Sequence, residues 1–412
     1  MGHDKLHFEI PAKTKNWCFG LMGLGALSTL VGWFADKSDH HQYWWAVVLI
    51  CGFFFLAISL GALFFYALQY AAEVAWTAQI KRVFEAMFAF IPIGLAVILV
   101  ILLAGKMHLH HLYHWMDSSV YDITSPAYDK LIANKAVYFG AFFWVRIIIY
   151  VAGFVLFARA FRKWSLQEDE APSTELHLKQ YRRGALFLVF FAVFSTTIAW
   201  DLLMSIDTHW FSTMYSWYIF SGMWVTCMIF ATLLIIWLRG KGYFSKVNDS
   251  HIHDMGKWMF AISMLWSYLW FCQFMLIWYS DIPEEVTYFK TRYDSYMGLM
   301  WGVFFANFAI PFYVLIARDA KRNIKFLQRV GAIILVTHFL DIWMAVVPGS
   351  NHGHEFGHHP STGDSLLSWG FTFGMFLGFL GLFIFVVMKA LSKARLVPIN
   401  HPYLNESENH HI

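Results

Sequence analysis

Ala185-Leu-Phe-Leu-Val-Phe-Phe-Ala-Val-Phe-Ser-Thr-Thr-Ile-Ala-Trp-Asp201-Leu-Leu-Met204 decides the fold of this chain. The first sixteen of these residues carry no charge, and the run is long enough to cross hydrocarbon as a helix, which takes about 20 residues. Nine further runs of this kind flank it, giving spans at about 16–35, 44–70, 83–103, 135–160, 184–206, 215–238, 255–280, 296–317, 324–346 and 366–391. Inside a bilayer the backbone must satisfy its own hydrogen bonds, so these runs are read as helices. Composition agrees: 58% of residues are hydrophobic and 14% charged, against roughly a quarter charged in soluble domains. Mean hydropathy is +0.50. The expected fold is all-α and integral to the membrane.

Residues 1–15 and 392–412 read as polar tails around a ten-helix domain at 16–391. Polar Met1–Lys15 leads straight into a full-length span, so no cleavable signal peptide is expected. Of the 30 Lys and Arg, 23 fall in the tails, the even-numbered loops and their flanking helix ends, and six in the odd-numbered loops (Lys37, Lys106, Lys130, Lys135, Lys290, Arg292). That bias puts both termini in the cytoplasm and Asp201 in the outer half of the membrane.

A loose repeat runs through the chain, at about 44–206 and 215–346. Gly140-Ala-Phe-Phe143 in span four matches Gly302-Val-Phe-Phe305 in span eight, and Asp201-Leu-Leu-Met204 in span five matches Asp341-Ile-Trp-Met344 in span nine. Two four-helix bundles follow, spans two to five and six to nine, with spans one and ten flanking. Such a repeat is parallel, about an axis along the membrane normal.

Charge inside a membrane costs roughly 2.5–3.5 kcal/mol on insertion scales, so each such residue asks for a partner or a function. Arg146, near the middle of span four, is a natural counter-ion for Asp201 or Asp341. His338 and Asp341 are three apart and share a helix face. These four are candidates for a quinone headgroup site or a proton relay; a buried ion pair that only fixes packing is the plainer account. Thr196 or Thr197 would extend a path from Asp201, and Glu85 and Lys257 would feed protons from the cytoplasmic side, although interfacial snorkelling also explains them. His108, His110, His111 and His114, and His352, His354, His358 and His359, cluster in two outer loops, in no defined zinc spacing. Cys18, Cys51, Cys227 and Cys272 are scattered through spans with no CxxC or CxxCH, so no iron–sulfur or c-type haem ligands are present, and only His338 is clearly intramembrane, too few for bis-histidine haem. Neither a covalent nor a metal-held cofactor is expected, and no nucleic-acid partner.

Two stretches, Trp200-Asp-Leu-Leu-Met-Ser-Ile-Asp-Thr-His-Trp-Phe-Ser-Thr-Met-Tyr-Ser-Trp217 and Trp278-Tyr-Ser-Asp-Ile-Pro-Glu-Glu-Val-Thr-Tyr-Phe289, resemble the membrane subunits of alternative complex III, a bacterial quinol:cytochrome c oxidoreductase, in the polysulfide-reductase membrane-subunit (NrfD-like) family. Length and span number resemble those of the smaller of its two large membrane subunits. The resemblance implies the two-bundle fold and a place in the bacterial inner membrane among lipids. It also implies a larger paralogous membrane subunit (ActC), an iron–sulfur subunit and multihaem cytochrome c subunits as partners, with menaquinone or ubiquinone as the possible bound group. Asp207, His209, Trp210, Pro283, Glu284 and Glu285 would then face those partners. A purely structural anchor and a secondary transporter are the alternatives. Against the transporter, Pro92 and Pro311 lie in spans three and eight, which are not repeat partners.

Overall fold

The computed structural model describes residues 7–350 and 366–411. The second histidine cluster, His352 to His359, and most of the loop 347–365 lie outside the described residues. Ten helices among the described residues are long and apolar enough to cross a membrane, and the chain is an all-α, multi-pass membrane protein. Spans one and two are Ala12–Ala35 and Gln42–Ala71. Span three, Lys81–Lys106, has a 3₁₀ turn at Phe88–Phe90 before helix resumes at Ile91. Pro92 sits at the start of the resumed helix, where its missing N–H costs little. The remaining spans are Ala141–Glu170, Thr174–Leu202, Met214–Gly240, Asp249–Ser280, Pro283–Leu315, Ile324–Ser350 and Leu366–Leu391.

Spans two to five pack as one four-helix ring and spans six to nine as another. Spans two and six join the rings and also touch spans nine and five respectively. Their central place explains why they are the most enclosed, with 89% and 83% of their apolar windows buried. Apolar side chains cover them on every side, as expected of a helix hydrophobic all round. Span ten lies against spans two and three, and span one packs on span ten. Small residues set that last contact: a Cβ at Gly25 would lie 2.3 Å from the Gly378 Cα, and Gly374 faces Ser28. Close backbone approach between small residues is how membrane helices associate without a hydrophobic drive.

Several span boundaries differ from the sequence reading, and two of them bear on the buried arginines. Span four starts at Ala141, after Gly140 leaves helical geometry (ψ −137°), so Arg146 sits in its second turn instead of mid-span. Span eight starts at Pro283, thirteen residues before the expected start, with Glu284 and Glu285 in its first turn. Proline at a helix start and acids beside the helix N-terminus favour that beginning. This 33-residue helix is about 50 Å long, longer than the hydrocarbon, so its polar first turns were invisible to an apolar-run criterion. A break in helical geometry at Tyr296 separates those turns from the apolar part.

The C-terminal tail is a strap across one face of the bundles. Ser407 Oγ donates to the Trp76 carbonyl (2.8 Å) beside bundle one. Asn248 Nδ2, at the start of span seven, donates to the His410 carbonyl (2.7 Å). We call this side the terminal face and the other the opposite face.

Candidate functional site

Each bundle holds a buried arginine near the opposite face, and each arginine lies over a tyrosine ring. In bundle one Arg146 Nε and Nη2 donate to Asp201 Oδ2 and Oδ1 at 3.0 and 2.8 Å. Tyr138 Oη donates to Asp201 Oδ1 at 2.9 Å. The guanidinium carbon is 3.8 Å from the Tyr138 ring centre, and Nη1 donates to the Tyr138 carbonyl at 3.1 Å. Asp201 is fully buried, in the last turn of span five. The two-point geometry matches a planar guanidinium to a carboxylate and leaves little of either charge unsatisfied.

A groove of about 540 Å3 opens beside this pair. Tyr138, Phe142, Trp200, Met204 and Phe211 line it, with Lys135 at its edge. Lys135 Nζ donates to the Thr208 carbonyl at 2.9 Å, and partial burial holds its ammonium below the usual lysine range. The volume falls in the usual range for small-molecule sites, mostly apolar with a few placed polar groups.

In bundle two Arg292 is over the Tyr288 ring, 3.3 Å from its centre. It donates to Asp207 Oδ2 (3.0 Å) and to the carbonyls of Tyr288, Met344 and Ala345. The sequence reading placed Arg292 in an outer loop and Asp207 and Trp210 at a partner surface. Instead Arg292, Asp207 and Trp210 are buried, and Trp210 stacks on Tyr288 with ring centres 4.1 Å apart. The available signal was the Tyr288-to-Arg292 spacing of one helical turn. His209 stays exposed and pairs with Asp129, and Pro283, Glu284 and Glu285 are exposed.

Among the described residues no arginine pairs with Asp341. Tyr218 Oη and Trp266 Nε1 (3.2 Å) donate to it, and His338 Nδ1 stands 3.8 Å from Oδ2. His338 Nε2, Gln273 Nε2, Ser263 Oγ and Asn307 Nδ2 are buried with no partner among the described residues. These four groups come from spans seven, eight and nine. Orphaned buried polar atoms of this kind are the usual berths of internal water.

Other expected residues are placed differently. Thr196 Oγ1 and Thr197 Oγ1 donate to carbonyls of their own helix, Ala192 and Phe194, and so point no path away from Asp201. Lys257 is half-exposed and pairs with Asp254 one turn before it. Glu85 is wholly buried at the terminal face, held by Arg82 Nη1 (2.9 Å), Arg162 and Ser165 Oγ. Around it Arg82 also meets Asp169, and Lys81 Nζ meets Glu168 Oε2 at 2.8 Å. Of the first histidine cluster, His110 is buried and its Nε2 bonds the Ile101 carbonyl (2.9 Å), with burial lowering its pKa to about 4.

Fold and sites together define a polytopic helical membrane protein with paired polar centres toward one face. No protein-family model matches the chain, and no curated protein does.

Proposed function

We propose that this chain is a membrane subunit of a quinol:cytochrome c oxidoreductase of the alternative complex III type, in the place that the subunit ActF takes, in the bacterial inner membrane with both termini in the cytoplasm. The groove beside Tyr138 would receive a quinone headgroup, menaquinone or ubiquinone, against Trp200 and Phe142. The Tyr138 hydroxyl, which donates to Asp201 Oδ1, would accept a hydrogen bond from a quinol hydroxyl and pass the released proton toward Asp201. Asp341 with His338, and the water berths below them, would offer bundle two a proton route. Electrons would pass to the iron–sulfur and multihaem cytochrome c subunits, which the exposed Pro283–Glu285 corner and His209 would help to seat, with ActC beside them.

One observation carries this reading: an aromatic groove of quinone-like size abuts a tyrosine whose hydroxyl bonds a buried carboxylate. In the assembled complex, Asp201→Asn and Tyr138→Phe should each lower quinol-dependent cytochrome c reduction or proton pumping at least tenfold. Unchanged turnover and pumping in an assembled Asp201→Asn complex would sink it. The anchor reading is favoured by one detail, the completeness of the Arg146–Asp201 pairing. It predicts that native quinone, extracted or seen by diffraction, accompanies only the paralogous subunit.

A further inference from the structure

Three metal-capable side chains meet at the terminal face, at the other end of span four from Arg146. Glu168 ends span four, His177 begins span five, and His401 comes from the C-terminal strap. All three are buried, and one ligand atom from each lies within 4.8 Å of the others. Lys81 Nζ occupies Glu168 Oε2 at 2.8 Å, which leaves Oε1 without a partner. His177 has neither ring nitrogen bonded, and its Nδ1 stands 4.0 Å from that free oxygen. Leaving a buried polar atom unsatisfied costs about 1–3 kcal/mol. Here three such atoms lie on two residues. A small cavity adjoins the two histidines, with about 20 Å3 open to a water centre, lined by His177, His401, Tyr403, Glu73 and Thr77. That is room for one water.

We propose that Glu168 Oε1, His177 and His401 bind a divalent transition metal, zinc fitting best, with a water from the cavity as fourth ligand. Two imidazoles and one carboxylate with an open position form a known three-ligand zinc set. Ligand atoms around tetrahedral zinc stand ~3.4 Å apart, so shifts of under about 1 Å per side chain close the site. Lys81, by holding Oε2, turns Oε1 toward the metal, the outer-shell role that orients ligating carboxylates. The His401 Nδ1 lone pair now accepts from the Tyr403 amide at 3.2 Å. Metal binding exchanges that long bond for a coordinate one. The ion would fasten the strap to spans four and five, and through Asn248 and His410 the strap reaches bundle two. It is therefore a clip between the tail and the bundles, distinct from quinone chemistry.

The test uses the full chain in its native complex, stripped with a chelator and reloaded with zinc or cobalt. Elemental analysis should find one zinc per chain, and cobalt should give the intense visible bands of a tetrahedral site. His401→Gln sits on the strap, outside the bundle core, and should cut occupancy at least tenfold; a His108→Gln/His111→Gln/His114→Gln variant should keep full occupancy. Zinc should also slow hydrogen exchange in residues 399–411 at least tenfold in the natural chain and not in His401→Gln. Absence of stoichiometric metal, or occupancy in His401→Gln and His177→Gln equal to that of the natural chain, would overturn the proposal.

Discussion

Replacing Asp201 by Leu strips Arg146 of both of its carboxylate bonds. The guanidinium, with 5% of its side chain exposed, keeps the Tyr138 carbonyl and the rings of Tyr138, Phe142 and Phe143 but no anion. Breaking a buried pair by removing one partner costs about 3–5 kcal/mol, because the other charge is left behind. Arg146→Met should cost a similar amount, since it leaves a fully buried carboxylate with only Tyr138. Replacing both by apolar residues of like volume removes the desolvation cost together with the attraction, and is often near neutral. The double variant Arg146→Met/Asp201→Leu should therefore be more stable than either single variant, with a coupling of about 3 kcal/mol or more. Reversible unfolding of the purified chain in mixed detergent micelles reads these energies. Single effects that add to within about 0.5 kcal/mol, the rule for independent sites, would refute the pairing.

Acid should act through His110. Its folded pKa of about 4 reflects burial, partly offset by the Ile101 carbonyl and reinforced by His111. A histidine is ordinarily protonated below about pH 6.5, so the unfolded chain takes up the proton first as pH falls. The neutral ring's contribution is thus complete above pH 6.5 and declines toward pH 4, by about 2 kcal/mol at pH 5. His110→Gln should flatten that stretch of a stability–pH profile, and an unaltered slope counts against it. At the crossing of spans one and ten, Gly25→Leu must drive the helices apart, because its Cβ would fall 2.3 Å from Gly378 Cα; overpacking costs about 1–3 kcal/mol. Gly23→Leu meets nothing within 4 Å and should leave the melting midpoint unmoved; equal effects would contradict the packing described. Arg292→Met should destabilise by about 3–5 kcal/mol through the loss of the Asp207 partner. Lys257→Ala, at a half-exposed pair, should change stability by less than about 1 kcal/mol, and the reverse ranking would disprove the assignment of buried and surface pairs.

Several residues separate what was legible from what was not. Asp201 stood out because a carboxyl in an apolar run is costly in any fold, and Arg146 was its nearest plausible cation by span. Arg292 was missed because seven polar or charged residues surround it between Glu284 and Ser295, and those made the first turns of span eight look like a loop. Asp207 and Trp210 were read outward for the same reason: they lie in a short connection, and only the packing of span eight against span nine turned them in. Thr196 and Thr197 looked available in sequence, but a helical hydroxyl can bond its own preceding carbonyls, and both do.

Sequence alone determined the number of spans and the membrane as solvent, because an apolar run of bilayer length has one way to satisfy its backbone. It also determined that a few charges would need partners. Tertiary structure decided which partners they received. Arg146 and Asp201 are 55 residues apart and Arg292 and Asp207 are 85 apart, while His401 reaches Glu168 from beyond the last span. Helix periodicity fixes neighbours only within a turn or two. The rest depends on which helix faces which, and that is a property of the packed bundles.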